Sequence, residues 1–274
     1  MTSGTSDGTG SCLDIARRAD PDRFLTALFA PPRYRQSLCV LIAFNHELVR
    51  AVEMPSARSG AGPIATLIRL QWWREVVQDT RADWRNHEVA EPLHGLVASG
   101  VVRAATLLRM IEAREAEAEG FDTLVDWRAS LLGGPGGLQR AIGEVLGVDE
   151  ALGDRVAAVG AAYAVGALIR HLPAMIGSGH LRLPEDLVAA AGSAAVPGAP
   201  IPQMVEALHP ALLQAGRFFH DKAGSFRIGR DRIAAVLPLV LAGRDLSRSP
   251  VLVAGGRGLS DRAAVLAAYM AGRV

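Results

Sequence analysis

Residues 34–53 read YRQSLCVLIAFNHELVRAVE, and this stretch decides the fold class. Leu38, Leu41, Ile42, Leu48, Val49 and Val52 recur at three- and four-residue steps, which gathers them on one stripe of an α-helix. The same period continues in both directions along the chain. It predicts helices over residues 22–29, 63–81, 91–98, 101–118, 123–132, 136–147, 151–177, 201–227, 233–242 and 260–270. Asp20 or Asp22 is available to cap the first of these, and Pro31 and Pro32 stop it. No Val/Ile/Thr run alternates with polar residues as a half-buried strand would, so the expected architecture is all-α.

In the 63–81 helix, Ile64, Leu67, Ile68, Trp72 and Val76 are expected to face inward, with Trp72 in the core and Arg74 on the surface. The run Gly133-Gly134-Pro135-Gly136-Gly137 lies between closely spaced helices and reads as a kink or tight turn. The uncharged stretch 187–205 contains Pro197, Pro200 and Pro202 and reads as a loop, with residues 191–202 a surface segment rather than a lid.

The chain has 274 residues, half of them apolar and 21% charged, which suits one globular domain. A formal net charge of +1 provides no broad attraction to nucleic acid or anionic lipid, so no nucleic-acid partner is expected. Cys12 and Cys39 are too few for a disulfide framework or a cysteine zinc site, and Cys39, inside an apolar helix, reads as a buried thiol. Residues 1–19 begin rich in Ser, Thr and Gly and read as a disordered lead-in, followed by one helical domain over residues 20–274. Residues 156–169 form an apolar run shorter than the about 20 residues that span a bilayer. No transmembrane segment is expected, and the location expected is the cytoplasm, free or at a membrane surface.

Walker, GxGxxG, HExxH and GxSxG motifs are absent. No two histidines stand at metal-ligand spacing on one helical face, and His46 and His171, each beside arginine or acid, read first as ordinary hydrogen-bonded side chains. Glu112, Glu115, Glu117 and Glu119, interleaved with Arg109 and Arg114, read as a solvated helix face.

Three blocks, taken in order, resemble the squalene/phytoene synthase family. The first runs from Asp22-Arg23-Phe24-Leu25 through Arg35 to Ile42-Ala43-Phe44-Asn45-His46-Glu47-Leu48-Val49-Arg50. The second is Ile68-Arg69-Leu70-Gln71-Trp72-Trp73-Arg74-Glu75, and the third runs from Gly160 through Ile169-Arg170-His171 to His180-Leu181-Arg182-Leu183-Pro184. The block from Ala43 to Glu53 is similar to the branch that includes respiratory complex I assembly factors and their bacterial relatives. The resemblance implies an isoprenoid-synthase fold, a helical bundle around a central cavity. It also implies head-to-head joining of two prenyl diphosphates, whose charged leaving group needs Mg²⁺ held by carboxylates from two facing helices.

The carboxylates that the resemblance requires are missing. Val49 and Arg50 stand where the first pair of aspartates belongs, and only Glu53 keeps an acid there. In the second motif Arg170 matches, but His171 and Met175 occupy the aspartate positions. A guanidinium about 4 Å from Mg²⁺ opposes binding by about 8 kcal/mol at an effective dielectric near 20. The expectation is therefore a non-condensing protein without cofactor, whose cavity residues are Asn45, Val49, Arg50, Glu53, Arg170, His171 and Met175. Arg50 and Arg170, if both point inward, form a basic spot for an anionic head group; the equal alternative is an ion pair with Glu47 or Glu53. The expected partners are an isoprenoid or lipid-like molecule or a respiratory-complex protein. The rival reading is an active prenyl-diphosphate transferase using Mg²⁺ at Glu47 and Glu53. Residues 244–274 match the family poorly, and their role is left open.

Overall fold

The computed structural model describes residues 7–53, 62–79, 87–195, 198–250 and 256–274. Among these residues the chain is helical throughout and has no strand; one isolated bridge joins Arg227 to Arg273. The first five helices are α1 (Asp7–Ala19), α2 (Pro21–Ala27), α3 (Pro32–Glu53), α4 (Gly62–Gln78) and α5 (Ala90–Ala98). They are followed by α6 (Ala104–Glu119), α7 (Leu124–Gly133), α8 (Pro135–Val145) and α9 (Gly153–Ser178). The chain closes with α10 (Glu185–Ala191), α11 (Ile201–Ala223), α12 (Pro238–Leu246) and α13 (Leu259–Ala271).

The N-terminal segment departs from the expected disordered lead-in. Residues 7–19 form α1, which packs on α3 and puts Cys12, Ile15 and Ala16 into the core. The Ser/Gly-rich start hid an amphipathic turn carried by those three residues; residues 1–6 lie outside the described set. A second departure is in the 187–205 stretch, where α10 and a short 3-10 turn over Gly192–Ala195 replace most of the expected loop. Pro197 lies outside the described residues, and the helix signal of the Ala-rich segment prevails until that point.

Helix α4 is rotated relative to the sequence expectation. Ile64, Leu67 and Ile68 are exposed, whereas Thr66, Leu70, Trp73 and Val77 are buried at steps of four, three and four residues. Two stripes of this helix are apolar, and the one carrying Trp73 wins because its ring fits edge-on against Phe44 of α3 at 5.2 Å. Trp72 is half-buried beside it, and Arg74 crosses to α6, where it pairs with Glu115 at 2.7 Å and with Glu112 at 3.8 Å. The acidic face of α6 is thus partly an interhelical contact rather than fully solvated.

At the centre stands α9, apolar on every side over Val156–Gly166 and packed by α7, α8, α11 and α12. A helix hydrophobic all round is one that other helices cover. Residues Glu150–Ser178 are, among those described, the one stretch long and apolar enough to cross a membrane by length and composition. Of an apolar 18-residue stretch within it, 67% is buried in the bundle. The expectation of a run too short to span is thus corrected, since the helix continues past Ile169 to Ser178.

The Gly133–Gly137 run is the tight turn expected. Pro135 opens α8, and a Cβ on Gly160 would stand 2.2 Å from the Pro135 carbonyl oxygen, so α8 and α9 touch backbone to backbone. That approach fixes the angle at which α9 enters the cavity described next.

Candidate functional site

A cavity of about 1070 Å³ opens between α3, α6, α7 and α9, with the start of α2 and the segment before α13 as its floor. Along α9 the wall residues Ala164, Ala167, Leu168, His171, Met175 and Ser178 recur at helical spacing, so one face of this helix forms one side. Phe121, Trp127 and Leu131 form the apolar side opposite.

Of the seven expected cavity residues, Asn45, Glu53, Arg170, His171 and Met175 line this space; Val49 and Arg50 do not. Arg50 is exposed and pairs with Glu47 at 3.1 Å, one turn back on the outer face of α3. The pair of inward arginines is therefore corrected: Arg50 lies about 100° round α3 from the middle of the face that carries Asn45 and Glu53. Glu47 is engaged by Arg50 and does not line the cavity, so it does not join Glu53 as a ligand.

Arg170 does reach the cavity, but its partner is a residue read only as a helix cap. Asp22 Oδ2 accepts hydrogen bonds from Arg170 Nη2 at 3.0 Å, Arg257 Nε at 2.8 Å and the Tyr163 hydroxyl at 3.2 Å. Arg257 also donates from both Nη atoms to the two oxygens of Asp245, each at 2.7 Å. Arg248 and Arg244 extend the chain of charges to Asp261 at 2.8 and 2.5 Å. Asp22, Asp245, Asp261 and the Arg257 side chain are all at most 5% exposed, which makes this a buried network across α2, α9, α12 and α13.

Asp20 caps α2 by accepting from the Arg23 backbone N–H at 2.9 Å, and its other oxygen takes Arg23 Nη1 at 2.9 Å. The Arg23 guanidinium lies 4.4 Å from the Tyr163 ring centroid. Arg114 pairs with Glu117 on the α6 wall.

The electrostatics follow from these contacts. Burial first, and then the charge of Asp20, push the Tyr163 phenol well above its usual range, so it stays a proton donor to the two carboxylates. Burial opposes the charge on Arg257, but Asp245 and Asp22 outweigh it and raise its pKa. Burial likewise works against Asp261 ionising, yet the hydrogen bonds from Arg244 and Arg248 hold it below the usual carboxylate range. His171 is lowered by burial and by the neighbouring Arg170, which favours a neutral imidazole on the wall.

Carboxylates that could cage divalent ions are not free here. Asp20, Asp22 and Glu117 each already hold a guanidinium, and Glu53 sits apart at the exposed rim. Among the described residues no three His, Cys, Asp or Glu side chains converge as a metal site. The residues present do not fit a Mg²⁺ cluster.

Sequence reading missed Asp20, Asp22, Tyr163 and Arg257 as site residues. A signal existed for one of them: Tyr163 lies seven residues before Arg170 on the cavity face of α9, a lone phenol in an Ala/Gly/Val helix. None existed for Arg257, in the segment that matches the family poorly.

Comparison with known proteins agrees with the helical fold. The squalene/phytoene synthase family model matches residues 16–248. Among curated proteins, NADH dehydrogenase (ubiquinone) complex I, assembly factor 6 of Rattus norvegicus is 27% identical over 188 residues, covering 67% of this chain and 55% of that protein. The Homo sapiens protein of the same description is 30% identical over 105 residues, 38% of this chain and 30% of its own length. The chain thus spans about half the length of the Rattus norvegicus relative. Among solved structures, a dehydrosqualene synthase in complex with ligand superposes with a TM-score of 0.70 at 14% identity, covering 96% of this chain and 95% of that one. Squalene synthase HpnC from Alicyclobacillus acidocaldarius gives 0.62 at 15% identity, covering 97% and 94%. Both likenesses concern the fold.

Proposed function

The chain belongs to the squalene/phytoene synthase family, and from that premise we propose that it is a non-condensing member that binds an isoprenoid-like ligand in its cavity and acts in the assembly of respiratory complex I. One observation carries the first half. Where prenyl-diphosphate chemistry needs free carboxylates on two facing helices, α9 presents Arg170, His171 and Met175, and the nearest acid, Asp22, is consumed by Arg170, Arg257 and Tyr163. Freeing Asp22 for a metal would take a buried carboxylate from both Arg170 and Arg257, and breaking a buried pair costs about 3–5 kcal/mol.

The assembly role is supported by the likeness to complex I, assembly factor 6, which matches two-thirds of this chain. Fold alone is a weak warrant for function, and the specific branch similarity is what favours this role over other uses of the same bundle.

Purified protein incubated with farnesyl or geranylgeranyl diphosphate and Mg²⁺ is expected to form neither squalene nor phytoene. Deletion of the gene in its host is expected to lower assembled complex I, with rescue by the wild-type chain. Product formation refutes the non-condensing reading, and normal complex I content in the deletion strain refutes the assembly role.

A further inference from the structure

The net charge of +1 hides a local imbalance around α13. In residues 226–232 and 256–274 the exposed charges are Arg227, Arg230, Asp231, Arg232, Arg262 and Arg273. Asp231 pairs with Arg232 at 3.7 Å, and the other four arginines have no carboxylate partner among the described residues. Backbone contacts gather them round one helix. Arg230 Nη2 donates to the Met270 carbonyl oxygen at 2.7 Å, the backbones of Arg227 and Arg273 form the isolated bridge, and Arg262 stands on α13 itself.

The outer face of that helix is apolar. Leu259, Ala263, Leu266, Ala267 and Met270 fall within about 100° of one another, on the side opposite buried Asp261 and Val265. Leu259 is 84% exposed, Leu266 50% and Met270 58%, so the stripe stands out as a ridge that no other described part of the chain covers. Tyr269 flanks it on the Arg262 edge, half-buried with its ring 4.9 Å from that of Phe29.

Charge selects the occupant of this ridge. A second copy related by a twofold axis would set the arginines against their own symmetry mates, like charge on like. A bilayer with acidic headgroups matches both features, because the ridge enters the acyl boundary while the guanidinium groups meet lipid phosphates.

We infer that α13 is a docking face for a membrane surface bearing anionic lipid, with Leu259, Leu266 and Met270 inserted and Arg227, Arg230, Arg262 and Arg273 against the headgroups. The helix lies on the bilayer and does not span it, since its 13 residues are too few. Neither the cavity ligand nor the complex I reading is used in reaching this assignment.

Co-sedimentation of the full-length protein is measured with vesicles of phosphatidylcholine alone and of phosphatidylcholine mixed with phosphatidylglycerol. At about 100 mM NaCl the mixed vesicles are expected to bind at least about tenfold more tightly, and about 500 mM NaCl is expected to remove most of that difference. The double variants Leu266→Gln with Met270→Gln, and Arg262→Gln with Arg273→Gln, are each expected to weaken binding to the mixed vesicles at least about tenfold. All four side chains are exposed, so both melting temperatures are expected to stay within about 2 °C of wild type. No binding to the mixed vesicles, equal binding to both kinds, or unchanged binding by either double variant overturns the inference. A dimer in sedimentation velocity that Leu266→Gln with Met270→Gln dissolves, without vesicle binding, assigns the ridge to a second copy and overturns it too. None of these results touches the proposed function, whose product assay and complex I content are read separately.

Discussion

Arg257 Nε donates to Asp22 Oδ2 across 2.8 Å although 235 positions separate the two residues in the chain. The bond joins the first turn of α2 to the segment that leads into α13, and it closes the cavity floor from both ends of the sequence. With Asp245 held by the same guanidinium, one side chain ties three parts of the bundle together.

Arg257→Met removes that tie and leaves Asp245, fully buried, without its bidentate partner. The expected loss is about 3–5 kcal/mol in urea unfolding, since Asp245 keeps only the longer contacts to Arg248 at 3.6 Å and Arg170 at 3.9 Å, and breaking a buried pair costs far more than the pair contributes. A loss under about 1 kcal/mol contradicts the buried network.

Stability depends on pH through His171 and His209. Both have folded pKa values lowered from the usual histidine value, His171 by burial and Arg170, His209 by burial. The unfolded state therefore binds protons more readily, so the stability these neutral rings support is present above the unfolded pKa of about 6.5 and is lost as pH falls through the lower folded values. His171→Gln is expected to flatten the fall in melting temperature between about pH 7 and about pH 5, and a steeper fall refutes the assignment.

The rotation of α4 separates two substitutions that sequence periodicity ranks the other way. Ile68 is 64% exposed, so Ile68→Gln is expected to change stability by less than about 0.5 kcal/mol. Trp73 is 3% exposed against Phe44, and Trp73→Ala is expected to cost about 3–5 kcal/mol. Equal losses at both positions contradict the placement.

Gly160 and Gly95 test the helix contacts in opposite directions. A Cβ at Gly160 would meet the Pro135 oxygen at 2.2 Å, and Gly160→Ala is expected to cost about 1–3 kcal/mol or more by forcing α8 from α9. Gly95 is an exposed position of α5 with nothing near its would-be Cβ, so Gly95→Ala is expected to stabilise by up to about 1 kcal/mol. Thermal melts of the two variants check both signs.

Cys12 and Cys39 are buried free thiols, pushed up to about 12 and about 11 respectively, in each case chiefly by burial. Native protein at about pH 8 is expected to resist alkylation by iodoacetamide, and both thiols are expected to react once urea unfolds the chain. Rapid native labelling of Cys12 is inconsistent with α1 packed on α3.

Local order was legible in residues because its causes are local. The three- and four-residue steps of residues 34–53, the capping aspartate before α2 and the Gly-Pro-Gly turn before α8 each act within a few positions. The choice between two apolar stripes on α4 is different, for both satisfy the helix and only the shape of Phe44 selects one. In the same way Asn45, Glu53, Arg170, His171 and Met175 line the cavity, while Val49 does not and Arg50 turns out to Glu47.

The sequence by itself determined that the chain is all-helical, which family it joins, and that Val49, Arg50, His171 and Met175 stand at the family's aspartate positions. Tertiary structure alone decided where the cavity charges go: Asp22 to Arg170 and Arg257, and Asp245 to Arg257. Helix propensity is summed over neighbours along the chain, whereas an ion pair depends on which atoms meet in space, and residues 22 and 257 meet only after the bundle has closed.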